Sequence, residues 1–147
     1  MLPSITGEAA EIFADVRGLI ADRKEWEASL RTRARSMPSL IASHGIVSAL
    51  AFLMSKSNDK MFRELLGGGV KNNYGREEAG YTLYLYVLYR FLGGRHGFLG
   101  ECGDMECLLG ELVRLDSDVA AAAAAGSLAL EFAVEFKKLA DALLEGE

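Results

Sequence analysis

Hydrophobic positions recur at helical rather than strand spacing along most of the chain. Ile12, Val16, Leu19, Trp26, Leu30, Ala34 and Met37 follow one another at intervals of three, four and seven residues. This stripe predicts one long helix, or two nearly collinear ones. Gly18 is the weak point, because glycine costs about 1 kcal/mol against alanine inside a helix. From Met37 to Lys56 the pattern changes to apolar on nearly all sides. Leu40, Val47, Ala51 and Met54 share one flank, Ile46, Leu50 and Leu53 extend it, and Ile41 and Phe52 lie opposite. Only His44, Ser48 and Ser55 make a polar strip. Pro38 suits a first helical residue, with Ser36 before it as a cap. The expectation is a central helix over 37–56 that other elements must wrap.

The remaining elements follow from stripes and caps. Asn58 is placed to cap a short helix from Asp59 to Leu66, which Gly67, Gly68 and Gly69 end as a flexible break. Tyr81 to Tyr89 alternates in places like a strand. However, Tyr81, Tyr84, Leu85, Leu88 and Leu92 make a helical stripe, Glu77 and Glu78 open it, and no second strand exists to pair with it. It reads as helix, with its tyrosines in the core rather than as a base-stacking platform. Gly93 to Gly103 holds five glycines and reads as a loop. Asp104 caps a helix through Leu115. A last helix runs through six consecutive alanines to about Leu144, with Leu128, Phe132, Leu139 and Leu143 inward and Lys137 opposite. Together these predict one all-α domain over residues 1–147, a compact bundle of about six helices.

Composition narrows the class. Half of the 147 residues are hydrophobic and two are proline, enough for a real core in one domain. No run of about 20 apolar residues occurs, since His44 and Glu131 interrupt the longest candidates. The N-terminus, MLPSITGEA, lacks a signal peptide's basic region and apolar block. Cys102 and Cys107 are too few for a disulfide framework, and their spacing is not C-x-x-C. The expectation is a cytoplasmic, reduced protein without a membrane span. Net charge is −5, but it is unevenly spread: −3 over residues 1–22, +6 over 23–95 and −8 over 96–147. A polyanion binds where charge is locally positive, whatever the total. An acidic end and a basic middle equally suit head-to-tail contact between copies.

Candidate chemistry is sparse. His96, Cys102 and Asp104 lie within nine residues, which raises a thiol nucleophile with a histidine base. Nothing in the sequence orders them, and a mobile loop with an incidental thiol is the plainer reading. His96, Cys102, Glu106 and Cys107 have no recognised zinc spacing. His44 and His96 as a ribonuclease pair would have to converge on one phosphate, and His44 sits on the expected buried helix as a structural histidine. GGGVK lacks the spacing and hydroxyl of a phosphate-binding loop. No enzyme, metal or cofactor is expected.

The basic residues are more suggestive. On a continuous first helix, Arg17, Lys24, Arg31 and Arg35 share the face opposite the apolar stripe and extend over roughly 27 Å. Asp15, Asp22 and Glu25 fall elsewhere, which leaves the row without direct neutralising neighbours. Spaced positive charge of this kind suits phosphate contacts that read no bases. Arg23 and Arg33 fall near the apolar stripe, where their stems suit a subunit boundary. An ordinary solvated face is the plain alternative.

One stretch carries a family resemblance. Arg31, Arg35, Pro38-Ser39-Leu40-Ile41, Gly45, Ala49-Leu50-Ala51-Phe52-Leu53 and Lys56 resemble the small-subunit family of the type III-B CRISPR effector, the RAMP-module (Cmr) complex. Leu130-Glu131-Phe132 and Phe136-Lys137-Lys138-Leu139-Ala140 are similar to its closing helix. The resemblance implies a non-catalytic subunit that stacks in several copies along a filament. Its partners would be the other subunits of the effector, especially the backbone subunit, with guide and target RNA. A basic face would bind target RNA or the guide–target duplex. The residues proposed for it are Arg17, Lys24, Arg31, Arg35, Lys56, Lys60, Lys71 and Lys137. A helical assembly module without RNA contact is the alternative.

Overall fold

The computed structural model describes residues 4–21 and 23–146. Among these, the helices are α1 (Ile5–Leu19), α2 (Lys24–His44), α3 (Ile46–Lys56), α4 (Asp59–Leu66), α5 (Arg76–Tyr89), α6 (Met105–Asp116) and α7 (Val119–Leu143). A π-helical turn, Arg90–Arg95, continues α5. No strand occurs among the described residues. The all-α bundle is as expected, with seven helices where about six were predicted.

The centre of the bundle is α5. Its residues from Thr82 to Tyr89 are all buried. The most extensive helix contacts are α2 with α5, then α2 with α7 and α1 with α7. The tyrosine-rich stretch is therefore a core helix. Tyr84 stands edge-on to Phe136 at 5.7 Å, and Phe62 packs on Tyr89 at 5.8 Å. The fit of α5 to α2 is tightest at Gly80, where a Cβ would lie 1.9 Å from Ser29 Oγ and 2.9 Å from the Ser29 carbonyl carbon.

Two of the expected elements are redrawn. The central helix over 37–56 does not exist as one piece. Instead α2 runs through Pro38 to His44, and Gly45, at φ +83°, turns the chain into α3. Ser36 caps nothing; its hydroxyl donates back to the Arg33 carbonyl at 3.1 Å. Proline inside a helix costs about 3 kcal/mol. Burial of Ala34, Met37 and Ile41 around Pro38 offsets that cost and keeps the helix whole. At Gly45 the backbone enters a region that side chains other than glycine avoid, so the break falls there. Nor is α3 wrapped: Ile46, Ala49, Leu50 and Leu53 face inward while Ala51 and Phe52 are exposed.

The N-terminal stripe, expected as one long helix or two nearly collinear ones, is two helices. Gly18 stays inside α1, and the break comes after it, where the Ile20 N–H bonds the Val16 carbonyl at 3.2 Å. Asp22 lies outside the described residues. Both helices pack on α7, α1 through Phe13 against Phe136 at 5.5 Å. The capping expectations hold at Asn58 and Asp104, whose side chains accept from the N–H groups of Met61 and Cys107.

By length and composition α7 is apolar enough to cross a membrane. Ala125, Ala129, Phe132, Ala133, Phe136 and Ala140 are nevertheless buried against neighbouring helices, and Glu131, Glu135, Lys137, Lys138 and Asp141 share its circumference. It is a packed helix of the bundle.

The Gly93–Gly103 segment is ordered by several ties. Tyr89 Oη accepts from the Cys102 N–H at 2.7 Å, and Glu111 Oε1 accepts from the Gly100 N–H at 2.5 Å. Arg114 donates to the Phe98 carbonyl at 3.0 Å. Folding back onto α6 brings the Cys102 and Cys107 Cα atoms to 5.4 Å, and the two form a disulfide. This corrects the expectation of reduced thiols.

Two buried side-chain groups are left unpaired among the described residues, Arg31 Nε and the Tyr84 hydroxyl. The Tyr84 hydroxyl has no hydrogen-bond partner, and burial pushes its phenol pKa up. A buried hydroxyl without a partner costs about 1–3 kcal/mol. Tyr84→Phe is therefore expected to raise stability by about 1 kcal/mol in urea melts. A loss of stability would mean that the hydroxyl has a partner in solution.

Candidate nucleic-acid interface

The predicted basic residues fall into separate groups. Because α1 and α2 are distinct helices, Arg17 leaves the row. It edges an open, largely apolar groove of about 490 Å³ that Phe13, Leu139 and Leu143 also line, with Glu27 among the lining residues.

The first group joins α2 to α7. Arg35 Nε donates to Asp141 Oδ1 at 2.8 Å, and Arg31 Nη2 donates to the Asp141 carbonyl at 3.3 Å. Arg31 Nε, 3.6 Å from the same carboxylate, is buried without a hydrogen-bond partner. Lys137 lies one turn before Asp141. The Arg35 hydrogen bond, with the charges of Arg35, Arg31 and Lys137, holds the Asp141 carboxyl below the usual carboxylate range. Three cations thus surround the Asp141 carboxylate. The expectation that the row has no neutralising neighbour is corrected: the neighbour comes from α7, 106 residues away. The C-terminal segment covers the same place. The Glu145 N–H donates to Glu27 at 3.3 Å, and a Cβ at Gly146 would lie 1.9 Å from Arg31 Nη1.

The second group sits where α2 begins. Lys24 and Lys71 line an open groove of about 650 Å³ with Arg23, Glu25 and Asn73. The Arg23 guanidinium lies over the Trp26 ring at 4.1 Å and donates to the Asn72 carbonyl at 3.4 Å. The loop carrying Lys71 is pinned rather than free to mould to a ligand. Glu64 accepts from Asn72, from the Tyr74 hydroxyl at 2.9 Å and from the Lys71 N–H at 3.2 Å. Burial pushes the Glu64 carboxyl up, but these hydrogen bonds outweigh it and hold the group below its usual range.

Lys56 ends α3 and Lys60 begins α4, both exposed. Elsewhere the cations are largely paired: Arg63 with Asp59 at 3.2 Å, Arg90 with Asp15 at 2.9 Å, and Arg114 with Glu111 at 2.7 Å. Lys24, Lys56, Lys60 and Lys71 have no ion-pair partner among the described residues. Free positive charge is therefore concentrated on α2, α3, α4 and the loop after α4.

Sequence reasoning missed part of this surface. Arg33 is held over the Tyr81 ring at 4.5 Å and donates to its hydroxyl, and Phe52 meets Tyr81 edge-on at 5.8 Å. Thr32, Ser36, Ser39 and Ser43 are exposed along the outer face of α2. The signal was available, because no acidic residue occurs between Glu27 and Asp59. His44 is exposed at the end of α2, which corrects its assignment as a buried structural histidine.

The catalytic alternatives lose their geometry. Cys102 is bonded to Cys107, and His96 Nε2 is 2.8 Å from Glu8 on α1 with its ring 4.6 Å from Phe91. No group of three or more potential metal ligands occurs among the described residues.

The described residues thus form an all-helical module whose unpaired cations gather mainly on α2, α3, α4 and the loop after α4. The chain belongs to the family of CRISPR-associated proteins described as Cas_Cmr5, whose model matches residues 6–143. This is the small-subunit family that the sequence resembles. Two solved structures share the fold. One is a chain in the cryo-EM structure of the type III-B Cmr-beta complex bound to non-cognate target RNA. It has a TM-score of 0.81 at 17% identity and covers 100% of both chains. The other is from the complex bound to cognate target RNA and AMPPnP, with a TM-score of 0.77 at 19% identity and 97% of each chain covered. No curated protein matches the chain.

Proposed function

We propose that this chain is a non-catalytic small subunit of a type III-B CRISPR ribonucleoprotein in the cytoplasm. Several copies stack along the filament beside the backbone subunit, and their basic faces hold target RNA or the guide–target duplex. Arg31, Arg35 and Lys137 supply the central phosphate contacts, with Lys24 and Lys71 at one end of α2 and Lys56 and Lys60 beyond the other. Arg17, apart from these, is the most peripheral member of the set. Contacts of this kind carry no base information, which suits a complex where pairing reads the sequence. The observation that carries the reading is the stretch from Ala28 to Asn58, which holds no acidic residue, with three cations gathered around the Asp141 carboxylate of α7. Family membership and the RNA-bound state of the two similar complexes support it.

Asp141 gives a direct test. Asp141→Asn removes the anion that pairs with Arg35 while keeping its shape. For single-stranded RNA, each phosphate contact shifts log K by about 0.7 per decade of salt. The variant is therefore expected to bind target RNA about fivefold tighter at about 0.1 M salt, read by filter binding of the assembled complex. Unchanged or weaker capture would contradict the placement of phosphate at this cluster.

The second reading is an assembly module whose charged surfaces touch only protein. It is favoured by α6, where Leu109 and Val113 are 54% and 65% exposed one turn apart, next to Val119 at 81%. Glu106, Asp116 and Asp118 flank them, as at the polar rim of a protein contact. That strip suits stacking in either reading. RNA crosslinks on α2 separate the two.

A further inference from the structure

A shallow groove between the C-terminal half of α2 and α3 has a different character from the charged clusters. It has a volume of about 440 Å³, at the small end of the range for ligand sites, and no acidic side chain lines it. On one wall are Arg33, Ser36, Ser39, Leu40, Ser43 and His44 of α2, and on the other is Phe52 of α3. Phe52 is 38% exposed, unusual for the one aromatic residue of a helix with a full buried face. Its ring is fixed edge-on against Tyr81, and Tyr81 in turn is capped by the Arg33 guanidinium. The ring is therefore positioned by packing and not left to rotate at random. Ser39 and Ser43 have hydroxyls without a partner among the described residues, so both are available to a sugar or phosphate oxygen.

We infer that this groove holds a single unpaired nucleotide of the bound RNA, its base stacked on Phe52 and its phosphate beside Arg33. The inference rests on the RNA-binding reading and adds to it a site that distinguishes unpaired from paired strand. Three features favour RNA over a protein side chain as the occupant. The chain between Glu27 and Asp59 carries no anion to repel a phosphate. The polar groups at the groove are a guanidinium, hydroxyls and the His44 imidazole, which match phosphate and ribose. Beside half-buried Leu40, the exposed apolar element is one aromatic ring, a sequence-tolerant stacking platform. A base still stacked in a duplex cannot reach it, so the site selects nucleotides displaced from pairing.

The test uses the assembled complex and target RNAs carrying 5-iodouridine at successive positions, crosslinked by light and mapped by mass spectrometry. The expected result is a crosslink in the peptide containing Phe52 or Tyr81 at one unpaired position. In Phe52→Leu that crosslink is lost while those on the Arg31–Arg35 segment remain. RNA with an unpaired stretch there should bind roughly tenfold more weakly to the Phe52→Leu complex. Its salt dependence should be unchanged, because no charge is altered, and Phe52→Trp should retain binding. Crosslinks on α2 with none near Phe52 would overturn the groove and leave the RNA reading intact. So would protection of residues 46–56 from hydrogen exchange by assembly without RNA, which would identify a protein occupant. No crosslink anywhere on this chain would overturn both.

Discussion

Replacing Arg31 and Arg35 together with glutamate is expected to weaken target-RNA capture by about 25-fold or more at about 0.1 M salt. The magnitude follows from counterion release: two single-strand phosphate contacts change log K by about 1.4 over one decade of salt. Reversal adds repulsion to that loss. It also places two carboxylates beside Asp141, which Arg35 now meets at 2.8 Å. Arg31 is the more sensitive site, since its side chain is 23% exposed against 54% for Arg35. A glutamine pair at the same positions separates the effects, because it removes the charges without adding repulsion. Both variants should lower the salt slope by at least about 1.4, and the glutamine pair should keep its helical circular dichroism. Unchanged affinity and slope in the glutamine variant would remove these residues from the interface. A Lys137→Gln variant should add a smaller loss to the pair. The three cations share one counter-charge, so the effects should not be strictly additive.

Gly80→Val is expected to destabilise the protein by about 3 kcal/mol, a fall in Tm of roughly 10 °C for a domain of this size. Helix propensity alone predicts a gain, since glycine inside a helix is worse than most residues by nearly 1 kcal/mol. Contact decides the sign. A Cβ at Gly80 would sit 1.9 Å from Ser29 Oγ and, more seriously, 2.9 Å from the Ser29 carbonyl carbon. The hydroxyl can turn away, but the backbone cannot, so α5 must withdraw from α2 along the largest interface in the bundle. Even Gly80→Ala should lower stability by about 1 kcal/mol, the overpacking cost exceeding the propensity gain. Adding Ser29→Gly should recover only part of the loss, because it relieves the side chain and not the main chain. A rise in Tm for Gly80→Ala would show that the two helices have room to part.

How legible these features were depends on how local their causes are. The caps at Asn58 and Asp104 and the helix in the tyrosine-rich stretch depend on neighbours within a few turns, and all were readable. Pro38 misled because its local cost is outweighed by tertiary burial of Met37 and Ile41 on either side. The exposed Phe52 was counted as core because composition around it is uniformly apolar, and only the packed helices show which flank has no partner. His96 and Glu8 are 88 residues apart, and Arg35 and Asp141 are 106 apart. Periodicity on one element carries no information about such pairs. For the interface, the helical wheel grouped Arg31 and Arg35, which meet at Asp141, but joined to them Lys24, which lies in a separate group. It wrongly added Arg17, which belongs to a separate helix, and it missed Arg33, whose place near the apolar stripe is explained by stacking on Tyr81. The absence of acids between Glu27 and Asp59 would have found the part of the face that holds Arg31, Arg33, Arg35 and Lys56. A net charge of −5 conceals it, because the acids lie mostly in the last third of the chain.

The central claim is membership of an RNA-guided effector, and affinity purification of the tagged chain from its native host tests it most directly. Co-elution of RAMP-type subunits with short repeat-derived guide RNAs is the predicted result. Recovery of the chain alone, without those proteins or RNA, would contradict the account.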